Sequence, residues 1–210
     1  MVRVICLAIG YVFGLFQTAY IYGRMNGIDI REYGSGNAGT TNALRVLGKK
    51  AGVIVLLGDV AKTVLAVVLV RFLFRREYTD MLPLLGIYAA SGAILGHNYP
   101  AHLGFKGGKG IACTAGLVLT LGPIVTALEA TTFLLTVYLS RYVSLGSILV
   151  VIELIVDLVV LGQMGYYGMS QAHLIEFYLV CTALSAMAIY RHKTNIVNLL
   201  HGTERKIFQK

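Results

Sequence analysis

Charge is scarce in this chain. Only 13% of its 210 residues are Asp, Glu, Lys or Arg, against 57% hydrophobic. A soluble domain of this size needs about a quarter of its residues charged to cover its surface, so a soluble fold is excluded. Cysteine is scarcer still, with three residues. Cys6, Cys113 and Cys181 lie in or beside apolar runs, without metal-ligand spacing, and an odd count argues against a disulfide framework. No small-x-small cleavage site follows the first apolar stretch, which therefore reads as a spanning helix rather than a removed leader. Low-complexity tracts and an internal repeat of the inverted-transporter kind are both absent.

The apolar runs approach or exceed the roughly 18 residues that mark a membrane helix. They predict seven spans, at about 3–22, 51–74, 81–97, 110–122, 124–140, 143–161 and 173–190. Residues 110–139 form one run too long for a single ordinary crossing. Gly122-Pro123 divides it, because proline lacks a backbone donor and disfavours helix in the residue before it. The expectation is an all-α, polytopic membrane protein, with residues 1–210 forming a single domain. The net charge of +8 then concerns loops rather than nucleic acid. Segments 23–50, 98–109, 141–142 and 191–210 fall on one side under this scheme and hold thirteen of the eighteen lysines and arginines. The positive-inside rule makes that side cytoplasmic, with the N-terminus outside and the C-terminus inside.

Four polar clusters fall on that cytoplasmic side. "GSGNAGTTNALR", residues 34–45, mixes hydroxyls and amides with glycines that permit close backbone approach, and Thr41 and Arg45 share a helical face at a spacing of four. "GHNYPAHLGFKGGKG", residues 96–110, brackets Gly107-Gly108 with Lys106 and Lys109 just before a helix start, a pattern suited to an anion. It is no Walker loop, since Leu103 and Gly110 stand where glycine and Ser/Thr are needed, and G-x-G-x-x-G does not fit either. "RYVSLGS", residues 141–147, and "RHKTNIVNLLHGTERK", residues 191–206, complete the set, with His192 and Asn195 three apart. Taken singly, each also reads as an ordinary basic loop, helix cap or lipid-facing tail. The only acids among them are Asp29, Glu32 and Glu204 if the flanking loop residues are included. A face so rich in donors and cations suits phosphate, and more than one of them. H-E-x-x-H, a Ser-His-Asp set and the H-x-x-x-x-D pattern of soluble acyltransferases are all missing.

These four segments resemble, in order and over nearly the whole chain, the signature segments of the bacterial membrane acyl-phosphate:glycerol-3-phosphate acyltransferases. The resemblance implies a small seven-helix domain in the bacterial cytoplasmic membrane, its active site open to the cytoplasm. It implies transfer of a fatty acyl group from acyl phosphate to the 1-hydroxyl of glycerol 3-phosphate, giving lysophosphatidic acid and phosphate, with no metal or organic cofactor. By matching positions, Ser35, Asn37, Thr41 and Arg45 would bind substrate phosphate. Lys109 and the backbone of Gly107-Gly108 would hold another, with Lys106 nearby, and Ser144, His192 and Asn195 would complete the pocket. Cys113, Gly146 and Asn198 depart from the usual residues, which touches substrate preference rather than the reaction.

Charges inside the predicted spans are a separate matter. Asp59 and Lys62, three apart, are expected to neutralise each other, whereas Glu129, Glu153, Asp157 and Glu176 have no evident partner in the sequence. Intramembrane ionisable groups also fit an anion- or proton-coupled transporter. A phospholipid-binding subunit without catalysis is the third reading.

Overall fold

The computed structural model describes residues 1–207, and among them there are ten α-helices and no strand. The chain divides into two compact units, Met1–Thr120 and Leu121–Lys210.

In the first unit α1 (Val2–Gly14) and α2 (Thr18–Met25) are two pieces of one apolar stretch, followed by a loop and α3 (Thr40–Leu47). Then come α4 (Lys49–Phe74), α5 (Leu82–Asn98) and α6 (Ile111–Leu121). α1 and α5 pack backbone to backbone. A Cβ on Gly10 would overlap the Ala89 carbonyl, one on Gly14 the Ala93 carbonyl, one on Gly92 that of Leu7, and one on Gly96 that of Tyr11. Two small-xxx-small stripes thus face each other, the arrangement by which helices approach closely where water gives no hydrophobic drive.

The break between α1 and α2 was not expected from the sequence, since only Gln17 interrupts the apolar run. Such a break strands helix-end carbonyls that the bilayer cannot satisfy. Here side chains satisfy them: Gln17 Nε2 donates to the Gly14 carbonyl at 2.9 Å, and Lys62 Nζ to the Phe16 carbonyl at 2.8 Å. Gln17 also reaches the carbonyls of Gly96 and His97, tying the break to the end of α5.

The second unit holds α7 (Pro123–Ser140), α8 (Val143–Gln163), α9 (Gln171–Arg191) and α10 (Lys193–Leu200). Pro123 occupies the first helical position of α7, where its missing N–H costs nothing, and Gly122 before it adopts φ +120°. The expected division of the long apolar run therefore occurs at Gly122-Pro123. α9 opens on Ser170, whose hydroxyl accepts from His173 N at 3.4 Å.

Among the described residues, six stretches are long and apolar enough to cross a membrane: Val2–Met25, Lys49–Phe74, Thr79–Leu103, Pro123–Ser140, Val143–Gln163 and Gln171–Arg191. Large apolar side chains such as Leu57, Val68, Leu134, Val156 and Leu179 are exposed along them, as a lipid-facing surface requires. α6, the expected fourth span, has 11 residues and is thus about 16 Å long, against a hydrocarbon core of about 30 Å. The protein is a multi-pass, all-helical membrane protein.

Candidate functional site

The first polar loop is held by a residue that the sequence reading passed over. Asn42, buried on α3, accepts from Ser35 N at 2.9 Å and donates to the carbonyls of Ile30 at 3.1 Å and Tyr33 at 3.0 Å. Gly34, at φ +64°, lies so close to the Asn42 amide oxygen that a side chain there would collide with it. Ser35 is exposed, Asn37 and Thr41 are half-buried, and Arg45 stands exposed one turn after Thr41 on α3. Arg31 joins this loop to the glycine-rich one. It donates to Asp29 at 2.7 and 2.9 Å and to the Leu103 carbonyl at 3.2 Å, and stacks over Tyr20. The Arg31 guanidinium holds the Asp29 carboxyl below its ordinary value.

In the second loop Gly107 N donates to the Asn98 carbonyl at 3.2 Å and Gly108 N to that of His97 at 3.1 Å. Both N–H groups thus cap the end of α5 instead of opening outward as an anion nest. What the glycines provide is closeness: a Cβ on Gly108 would overlap His97 Nε2 and come within 2.9 Å of the Ala38 carbonyl. The glycine pair and segment 37–39 are therefore adjacent. Lys109 is half-buried and directly precedes Gly110 and the N-terminus of α6, whose first-turn amides remain the backbone donors of this region. Lys106 is exposed.

Beneath the glycine pair Asp59, Lys62, His97 and Cys113 are buried together. The donor atoms of Asp59, His97 and Cys113 lie within 4.8 Å of one another, close enough to consider a metal ion. Lys62 already supplies the cation there, with its ammonium 2.8 Å from Asp59 Oδ1 and 2.9 Å from His97 Nδ1, so the residues fit a resident ammonium. The mutual neutralisation expected of Asp59 and Lys62 is observed.

The second unit brings Ser144 and Asn195 together. Both donate to Glu204 Oε1, each at 2.7 Å. Glu204 is 9% exposed, and the tail carrying it is pinned by Ile207 N donating to the Arg141 carbonyl at 2.8 Å. His192 is buried and its Nδ1–H donates to the Ala188 carbonyl at 2.8 Å, which in the neutral ring puts the lone pair on Nε2. Glu204 had one signal in the sequence, as a rare acid in a basic tail. His97 and Asn42 lay within quoted clusters but had no predicted role, and Gln17 showed only as a polar interruption of the first apolar run.

The fold is thus that of a multi-pass membrane protein whose polar loops are basic, glycine-rich and suited to anionic substrates. Known proteins share this fold. The family described as glycerol-3-phosphate acyltransferase matches residues 4–202. A glycerol-3-phosphate acyltransferase of Clostridioides difficile is 42% identical over 209 residues, covering 99% of this chain and 96% of the relative. One from Crocosphaera subtropica is 38% identical over 216 residues, covering 100% and 96%. The crystal structure of PlsY, an integral membrane glycerol 3-phosphate acyltransferase in its glycerol 3-phosphate form, superposes with a TM-score of 0.84 at 30% identity, covering 99% of each chain. A second form of that protein, with lysophosphatidic acid, gives 0.81 at 30% identity, covering 98% of this chain and 95% of that one. The chain belongs to the glycerol-3-phosphate acyltransferase family and is an enzyme, an acyltransferase.

Proposed function

We propose that the chain, acting as one domain over residues 1–210, transfers a fatty acyl group from acyl phosphate to the 1-hydroxyl of glycerol 3-phosphate in phospholipid biosynthesis. The products are lysophosphatidic acid and inorganic phosphate. The observation that carries this is the end-to-end match to the family and to a solved relative in glycerol 3-phosphate and lysophosphatidic acid forms. In the reaction the hydroxyl oxygen attacks the acyl carbon, the new ester C–O bond forms, and the C–O bond to phosphate breaks with its electron pair leaving on phosphate. The hydroxyl proton passes to a phosphate oxygen of a substrate.

An acyl phosphate is a mixed anhydride with a good leaving group, so the work is mainly to hold two repelling anions together. Positioning supplies about 7–11 kcal/mol in favourable cases, and one donor at a developing oxyanion about 3–4 kcal/mol. Ser35, Asn37, Thr41 and Arg45 are assigned to substrate phosphate. Lys109, with Lys106 and the close backbone at Gly107 and Gly108, is assigned to a second phosphate, the α6 amides adding donors. Ser144, His192 and Asn195 serve the same reaction. A second reading makes His192 the general base, which the Nε2 lone pair favours.

We place the protein in the bacterial cytoplasmic membrane, with α6 as a shortened seventh crossing, the N-terminus outside, and the C-terminus and active site on the cytoplasmic side. The lysine and arginine bias supports this orientation. A C-terminal reporter active only outside the cytoplasm should stay silent, and a signal from it would reverse the orientation. The donor is tested by giving purified protein glycerol 3-phosphate with acyl phosphate, acyl-CoA or acyl carrier protein in turn. Lysophosphatidic acid should form with acyl phosphate alone, and equal turnover with a thioester donor would overturn the assignment.

A further inference from the structure

Acyl transfer as described leaves unused the buried polar group beneath Gly107 and Gly108. Lys62 is 4% exposed, and an ammonium has three N–H donors and no acceptor. All three donors are engaged, by Asp59 Oδ1 at 2.8 Å, the Phe16 carbonyl at 2.8 Å and His97 Nδ1 at 2.9 Å. His97 Nδ1 must therefore accept, and the proton of the neutral ring sits on Nε2. Nε2 is the ring atom packed against Gly108, where a Cβ would overlap it, while the His97 carbonyl accepts from Gly108 N at 3.1 Å. His97 thus seats Gly108 through both its ring and its backbone.

We propose that Lys62 is a positioning residue for the substrate-phosphate loop. It locks the His97 ring in the Nε2–H tautomer and in the orientation that seats Gly108, and so sets the pose of Gly108 and Lys109 against phosphate. Satisfying the Phe16 carbonyl accounts for one of the Lys62 donors, but not for the contact with His97. A buried ion pair replaced by well-packed apolar residues is often as stable or more so. An apolar pair, however, leaves the His97 tautomer and ring orientation undetermined. The inference rests on the reading that Gly107 to Lys109 meets a substrate phosphate.

The test uses purified full-length enzyme. The double variant Asp59→Leu/Lys62→Met removes the pair without stranding one buried charge. Its melting temperature should fall by a few degrees, because the Phe16 carbonyl loses its donor, while KM for one phosphate-bearing substrate rises about tenfold or more and kcat changes far less. Wild-type values of both KMs in the folded double variant would overturn the proposal. Gly108→Ala and Lys109→Ala separate the two levels. If they leave both KMs unchanged, the phosphate-loop reading itself fails; if they raise KM and the double variant does not, only the role of Lys62 fails. Ring 15N shifts of His97 in the unmodified enzyme add a readout independent of folding of the variants. They should report protonated Nε2 and unprotonated Nδ1, and the opposite tautomer would overturn the proposal.

Discussion

Ser144 and Asn195 donate to the same carboxylate oxygen, Glu204 Oε1, at 2.7 Å each. Ser144 is the second residue of α8 and Asn195 lies in α10, so one acid in the tail ties two helices together. Its position at the start of α8 also places a negative group where the helix dipole favours it.

Removing that acid should therefore cost stability. Hydrogen bonds to a charged group contribute about 1.5–3 kcal/mol each, without full additivity. Glu204→Ala is expected to lose about 2 kcal/mol and about 4–8 °C of melting temperature, with Glu204→Gln in between. Thermal unfolding of the detergent-purified protein checks this, and an unchanged midpoint for the alanine variant would contradict it.

The facing glycine stripes of α1 and α5 make a second prediction. Gly92→Ala would place a methyl over the Leu7 carbonyl, 2.6 Å from Tyr11 N and 2.9 Å from Gly10 Cα, all backbone that cannot give way cheaply. Overpacking of this kind costs about 1–3 kcal/mol. Lower thermal stability and yield should follow, whereas Ala127→Leu, on an exposed face of α7, should behave as wild type.

Much of this was legible beforehand and some was not, for physical reasons. Long apolar runs and the Gly122-Pro123 break are local signals, so most helices and the division of α6 from α7 follow from the chain itself. α6, expected at about 110–122, runs from Ile111 to Leu121, between Gly110 at φ +84° and the Gly122-Pro123 break. The α1–α2 break was invisible because its compensation is distant: Gln17 reaches the carbonyl of Gly96, 79 residues away, and Lys62 that of Phe16. Ser144 and Glu204 are 60 residues apart and share no periodic pattern. The glycine-rich loop was legible as a loop, but its N–H groups cap α5, which only the folded chain reveals.

The Asp29–Arg31 pair, outside the spans, gives a pH dependence with a definite sign. Arg31 lowers the Asp29 pKa from its ordinary 3.8. A depressed acid contributes stability that is present above its unfolded value and lost as pH falls through its folded one. The melting-temperature advantage of wild type over Asp29→Asn should therefore be full near neutrality and shrink as pH falls below about 4. An advantage that grows with acidification would contradict the pairing.

Positioning and general-base accounts separate by kinetics. If anion positioning dominates, Lys109→Ala and Arg45→Ala should each lower kcat/KM about a hundredfold or more, and His192→Gln less than about tenfold. Initial rates of phosphate release at varied concentrations of both substrates give these values. The reverse ranking would assign proton removal to His192 and retire the substrate-phosphate mechanism.

The most direct measurement follows inorganic phosphate and lysophosphatidic acid together, from purified protein given acyl phosphate and glycerol 3-phosphate. Acyl transfer predicts that both products appear in equal amounts and only when both substrates are present. Phosphate release without glycerol 3-phosphate, or movement of phosphate across liposomes with no lysophosphatidic acid formed, would contradict it.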